Sequence, residues 1–165
     1  MDKNFLWAPW RMDYIQNPNK EQDVFLKKIK SSDDRKHLVL HRSVNSFVVM
    51  NLYPYNNGHL MVVPYEKYDD MTKLNVDTLS EIMSLSKDSM KILKDKLHCE
   101  GFNFGLNMGK AAGAGIDDHL HFHIVPRWMG DSNFMPVTGH TKIIMENLFD
   151  TYDNLKPSFD LLKKL

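Results

Sequence analysis

The order of apolar patterns along the chain predicts an α+β domain built on an antiparallel β-sheet. Three observations carry this reading. Residues 119–125 alternate strictly between histidine and apolar side chains, as a strand with one core face does. Residues 75–97 instead place apolar side chains three or four apart, the spacing of a long amphipathic helix. The remaining β-rich runs are separated by short stretches of Pro, Asn, Ser and Gly, which suit hairpin-like connections rather than crossover helices. About five strands, one long helix and shorter terminal helices follow from these patterns.

Taken in order, residues 6–15 hold Trp7, Trp10, Tyr14 and Ile15, too aromatic a set for a loose tail, and are expected to pack on the body or on a second subunit. Residues 20–30 read as a short helix with Val24, Phe25, Lys28 and Ile29 on or beside one stripe, ended by Ser31-Ser32-Asp33-Asp34. Strands are expected at 38–40, 46–50 and 59–63, with turns at Ser43-Val44-Asn45 and across 51–58, and an end at Pro64. The long helix carries Leu79, Ile82, Met83, Ser86, Met90, Leu93 and Leu97 on its predicted core face, with Asn75 or Asp77 as N-cap and the methionines as core filler. A strand at 102–107, a small-residue loop at 109–115 and the histidine strand at 119–126 come next. Residues 143–162 show helical spacing that Pro157 is expected to break.

Length and charge limit the function. A chain of 165 residues suits one domain, and 21 basic against 21 acidic residues give no global attraction to a nucleic-acid polymer or an anionic membrane. Any phosphate recognition must be local. The single cysteine, Cys99, excludes an intramolecular disulfide and a Cys-x-x-Cys metal knuckle, and fits a reducing compartment. With no signal-peptide pattern and no run approaching the ~18 apolar residues of a membrane span, the expected location is cytoplasmic.

The histidine row points to chemistry. On a strand, His119, His121 and His123 share one face while Leu120, Phe122 and Ile124 enter the core behind them. Imidazole, with an ordinary pKa of about 6.5, serves near neutral pH as nucleophile, proton donor or metal ligand. The alternative is that one or two of the three are ordinary surface histidines. Gly109-Lys110-Ala111-Ala112-Gly113-Ala114-Gly115 lacks the Gly-Lys-Ser/Thr ending of a phosphate loop and leads into a strand, so a Rossmann arrangement does not fit. Its small residues would let backbone N–H groups approach an anion; the competing reading is a tight connection that needs positive φ.

His119-Leu120-His121-Phe122-His123-Ile124-Val125 resembles the His-φ-His-φ-His-φ-φ signature of the histidine-triad (HIT) family of nucleotide hydrolases and transferases. Asn51-x-x-Pro54-x-x-x-Gly58-His59-x-x-Val62-Val63-Pro64 resembles the family's upstream block, and Asn107-x-Gly109 is similar to its pattern before the glycine loop. The core motifs span 38–128 of a single 1–165 domain, with 1–30 and 129–165 as extensions. Within those extensions, Leu6-Trp7-Ala8-Pro9-Trp10-Arg11-Met12-x-Tyr14-Ile15 and Val125-Pro126-Arg127-Trp128 with Asn133-Phe134-Met135-Pro136-Val137 resemble the branch containing prokaryotic diadenosine tetraphosphate phosphorylases. One departure stands out: many triad hydrolases carry Gln or Ser where this chain has Ala114 and Gly115.

The resemblance implies a HIT-like fold, a homodimer, a nucleotide substrate and no required cofactor, magnesium being able to accompany the substrate phosphates. It implies His121 as the nucleophile on an α-phosphate, His119, His123 and His59 as partners at the phosphate, and Asn51 at the ribose. Asn107 and the backbone of Gly113, Ala114 and Gly115 would hold phosphate, with Arg127 or Lys110 near enough to add charge. Water or inorganic phosphate would resolve the nucleotidyl-histidine, and the missing Gln or Ser turns the expectation towards phosphate. Other readings are a nucleoside phosphoramidate hydrolase of the same family, a His-ligated metal-dependent hydrolase, and a non-catalytic nucleotide-binding module. A uridylyltransferase would carry Gln in place of His123. His37, His41, His98 and His140 have no assigned role.

Overall fold

A computed structural model describes residues 24–131 and 146–163; the tryptophan-rich start, His140 and the 133–137 motif lie outside the described residues. The described elements are α1 (Val24–Lys30), β1 (Val39–Arg42), β2 (Ser46–Met50), β3 (Leu60–Pro64), α2 (Val76–Leu97), β4 (Gly101–Leu106), β5 (Phe122–Arg127) and α3 (Leu148–Asp160). The strands form one sheet in the order β1-β2-β3-β5-β4, and every neighbouring pair is antiparallel. This is the expected α+β architecture.

Period-two alternation divides the apolar residues between the two faces of the sheet. Leu40, Val48, Met50, Leu60, Val62, Phe122 and Ile124 form one core layer with Ile82, Leu85 and Leu93 of α2 and Tyr152, Leu155 and Phe159 of α3. On the opposite face Val39, Phe47, Val49, Met61 and Val63 pack with Phe25 of α1. His119, His121 and His123 belong to this second face, because their apolar neighbours Phe122 and Ile124 point to the first.

Asn75 caps α2 as expected, its side chain accepting from the Thr78 N–H at 2.7 Å. The buried stripe of α2, however, is rotated from the predicted one. Met83 is 44% exposed, whereas Glu81, Leu85, Ser89 and Ile92 are buried. The cause is polar: Glu81 is held inside by the Ser46 hydroxyl at 2.6 Å and the Asn45 N–H at 3.0 Å, and a satisfied carboxylate can take a core position that apolar counting assigns to a methionine.

Pro157 does not break the last helix. α3 continues through it to Asp160, because Leu155 and Phe159 on either side are fully buried and hold the segment against the sheet. Tyr152 fastens the same helix to β1, donating to the Val39 carbonyl at 3.0 Å, and burial pushes its phenol up to about 12. His41 is also structural in placement, with Nδ1 3.2 Å from the Phe159 carbonyl. His98 ends α2 in the left-handed region, at φ 50°. Among the described residues no helix is long and apolar enough to cross a membrane.

Candidate active site

The ladder between β4 and β5 begins at Phe122, so His119 and His121 precede the strand instead of lying within it. Other bonds hold this approach in line: the Leu120 N–H donates to the Tyr68 carbonyl at 2.7 Å, and the His119 ring reaches the Pro64 carbonyl at the end of β3. All three triad histidines are buried, and His59, the first residue before β3, is 1% exposed. Gly58 places it. With φ at 69°, Gly58 turns the chain so closely against α2 that a Cβ there would run into Leu97 Cδ1.

The hydrogen bonds determine where the ring protons sit, because a carbonyl oxygen can only accept. His119 therefore carries a proton on Nε2, 2.9 Å from the Pro64 carbonyl. His121 carries one on Nδ1, 2.9 Å from the carbonyl of His119. Neutral His121 then keeps its lone pair on Nε2, which makes no hydrogen bond among the described residues. Burial pushes the His121 imidazole below its ordinary pKa, with the nearby His119 charge acting in the same direction and the His119 carbonyl opposing. A buried neutral imidazole with its Nε2 lone pair available is the form a nucleophile needs.

A second pair stands beside it. The Tyr55 N–H donates to His59 Nδ1 at 3.0 Å, so neutral His59 bears its proton on Nε2, which lies 2.9 Å from His123 Nδ1. His123, accepting at Nδ1, carries its own proton on Nε2. Asn51 closes this corner: its Nδ2 is 3.3 Å from His59 Nδ1 and its Oδ1 accepts from the Tyr53 N–H at 2.9 Å. The rings form a continuous aromatic row, with Phe25 5.2 Å from His119 and 5.4 Å from His121. His121 stands edge-on to His123 at 4.8 Å, and Tyr55 stacks on His123 at 5.8 Å and lies 4.7 Å from His59.

On the β4 side, Gly105 pairs with His123. The ladder ends at the next pair, Leu106 with Phe122, and Asn107 and His121 are the residues that follow and precede it on the two chains. The glycine loop beyond it contains a 3₁₀ turn, Lys110–Ala112, flanked by Gly109 at φ 78° and Gly113 at φ 82°. Three of its N–H groups are engaged within the loop: Ala112 donates to the Gly109 carbonyl at 3.1 Å, Gly113 to the Lys110 carbonyl at 3.0 Å and Ala114 to that of Gly109 at 3.4 Å. Gly115 N–H has no such partner among the described residues. The positive-φ requirement read from the sequence is met at Gly109 and Gly113.

Arg127 does not stand near the loop. Its guanidinium is held by both carboxylate oxygens of Asp131, at 2.6 and 2.8 Å, and by Asn103 Oδ1, and it lies four residues, roughly 13 Å along the strand, beyond His123. Lys110 pairs with Asp117 at 3.6 Å, and Lys67 pairs with Asp118 at 2.6 Å, so the two carboxylates preceding His119 are each matched by a cation. Among the described residues no group of three or more His, Cys, Asp or Glu is arranged to hold a metal ion.

Phe25, Tyr55 and Gly105 were not among the site residues read from the sequence. Phe25 carried only the signal of an apolar helix stripe, Tyr55 lay inside a turn, and Gly105 interrupted a strand without a motif around it.

Comparison with known proteins agrees with this geometry. Residues 33–129 match the family model described as HIT domain. A protein of Mycobacterium tuberculosis named AP-4-A phosphorylase is 38% identical over 154 residues, which cover 88% of this chain and 79% of that protein. Among solved structures, a zinc-bound histidine triad family protein from Mycobacterium smegmatis superposes with a TM-score of 0.62 at 22% identity, covering 75% of this chain and 84% of that one. A histidine triad nucleotide-binding protein from Sulfolobus tokodaii gives 0.62 at 24% identity, over 74% and 83%. At these identities the two structures establish the fold.

Proposed function

The chain belongs to the HIT-domain family of nucleotide-binding hydrolases and transferases, and from that premise we propose that it cleaves dinucleoside polyphosphates of the diadenosine tetraphosphate type at an α-phosphate, through a nucleotidyl-histidine on His121. The observation that carries this reading is the His121 to His119 hydrogen bond, which assigns the proton to Nδ1 and the lone pair to Nε2. In the first step His121 Nε2 forms a bond to the α-phosphorus while the bond from that phosphorus to the bridging oxygen breaks, releasing ATP and leaving adenylyl-His121. His123, whose Nε2 bears a proton, supplies a hydrogen bond to the phosphoryl oxygens as charge gathers on them, while His119, its Nε2–H committed to the Pro64 carbonyl, orients His121 through its main-chain carbonyl. Asn51 takes the ribose hydroxyls. Asn107 and the loop at Gly113, Ala114 and Gly115 hold the phosphates, with Gly115 N–H, unlike those of Gly113 and Ala114, not engaged within the loop.

In the second step an oxygen of inorganic phosphate attacks the same phosphorus, the His121 nitrogen leaves, and ADP forms; water in that place would give AMP and a proton. Two features support phosphate as acceptor: Ala114 and Gly115 leave the loop without a polar side chain before the triad, and the relative named AP-4-A phosphorylase covers 88% of this chain. The reaction needs no resident metal in this reading, and magnesium would arrive with the substrate. A homodimer is supported by the edge position of β4, where Phe104 is 39% exposed next to the exposed Met83 of α2. A cytoplasmic setting is supported by the single cysteine, buried and unpaired with another.

The test is incubation with diadenosine tetraphosphate, with and without millimolar inorganic phosphate, followed by chromatography. The proposal expects ADP and ATP with phosphate. AMP and ATP at every phosphate level would make water the acceptor, and no cleavage under either condition would overturn the substrate assignment.

A further inference from the structure

We infer that Tyr55 is a positioning residue that locks the His59 and His123 pair in a single proton arrangement; the inference deepens the triad reading above and rests on it for its kinetic consequence. Two contacts from one residue act on the pair. The main-chain N–H of Tyr55 donates to His59 Nδ1 at 3.0 Å, which favours the His59 proton on Nε2 and hence towards His123 Nδ1, 2.9 Å away. The side chain then covers the bond so arranged: its ring lies 4.7 Å from His59 and stacks on His123 at 5.8 Å with an interplanar angle of 26°.

The ring acts by keeping water away. His59 and His123 are 1% and 8% exposed, while Tyr55, whose ring contacts both, is 38% exposed and so stands on their solvent side. A hydrogen bond between two neutral imidazoles has little intrinsic preference for one direction, and water at either nitrogen would let the pair exchange to the opposite arrangement. In that opposite arrangement His123 would bear its proton on Nδ1 and present a lone pair, not a donor, at Nε2. A lone pair facing phosphoryl oxygens repels them. Tyr55 therefore keeps His123 as a hydrogen-bond donor without itself touching the reacting atoms.

The inference is tested with full-length Tyr55→Leu, which keeps an apolar side chain and the main-chain N–H but removes the ring, and with Tyr55→Phe, which keeps the ring. Nitrogen-15 NMR of the histidine side chains in the resting protein reads the proton positions directly and needs no substrate. In wild type and Tyr55→Phe, His123 is expected to show a bare Nδ1 and a protonated Nε2; in Tyr55→Leu its two nitrogens move towards averaged values. With diadenosine tetraphosphate, Tyr55→Leu is expected to lower kcat by roughly tenfold or more while KM stays within a few fold, the pattern of a misplaced catalytic group, and Tyr55→Phe to retain most of kcat. An unchanged His123 signature in Tyr55→Leu overturns the inference, as does a rise in KM alone, which would make Tyr55 a substrate contact. Should the NMR change occur in a protein that does not cleave the dinucleotide, the positioning role stands and the substrate reading falls.

Discussion

Gly105 stands directly opposite His123 in the ladder between β4 and β5, and a Cβ at Gly105 would meet nothing within 4 Å. An edge strand thus leaves an open space on the triad face beside one of its histidines. Antiparallel pairing explains the alignment, since paired residues project from the same face of the sheet.

In the proposed reaction a phosphoryl group held by His123 would use that space, which yields the first prediction. Gly105→Val should fold about as stably as wild type, because β-branched residues suit a strand and nothing lies within 4 Å of the new Cβ. It should nevertheless lose kcat/KM by roughly tenfold or more through obstruction of His123. Thermal unfolding and steady-state kinetics on one preparation check both halves.

The pKa of His121 gives the second. Burial lowers it, so the neutral attacking form persists below the ordinary value of 6.5, and activity should hold as pH falls through 6.5 and decline only at lower pH. The apparent midpoint belongs to the coupled triad and not to one ring. Stability follows the same sign. Between the lowered folded pKa and 6.5 the unfolded chain binds more protons, so the contribution is full above 6.5 and is lost as pH falls to the folded pKa. A pH–rate profile and urea unfolding across that window measure the two effects.

Phe25 provides the third, because it joins α1 to the triad. Its ring is 2% exposed and packs on His119, His121 and Phe47, while Arg42 holds the end of α1 through the carbonyls of Lys28 and Ser31 at 2.7 and 3.0 Å. Phe25→Ala should cost about 3–5 kcal/mol. By admitting water to His121 it should also move the acid limb of activity upward towards 6.5. Denaturant unfolding gives the first quantity, and the pH–rate profile of the variant gives the second.

The strands and their order of appearance were legible because alternation and turn residues act locally: β2 at Ser46–Met50 and the Asn75 cap of α2 fall where the sequence places them. The three histidines share a face for the same reason. What could not be read was decided by partners distant in sequence. Glu81 turned the buried stripe of α2 by bonding Ser46, and Pro157 stays helical because Leu155 and Phe159 are anchored in the core. Arg127 looked available for phosphate until Asp131 and Asn103 were seen to hold it. Tyr55 and Phe25 belong to the site only through ring contacts across the fold, which leave no spacing signature in the chain.

The role of His121 Nε2 as nucleophile is read out by acid- or base-quenching the reaction with diadenosine tetraphosphate within a single turnover and mapping the adenylylated peptide. One adenylyl group is expected on His121, absent from a His121→Ala variant that still binds nucleotide but no longer turns over. An adduct on another residue, or a His121→Ala variant with near-normal rates, would contradict it.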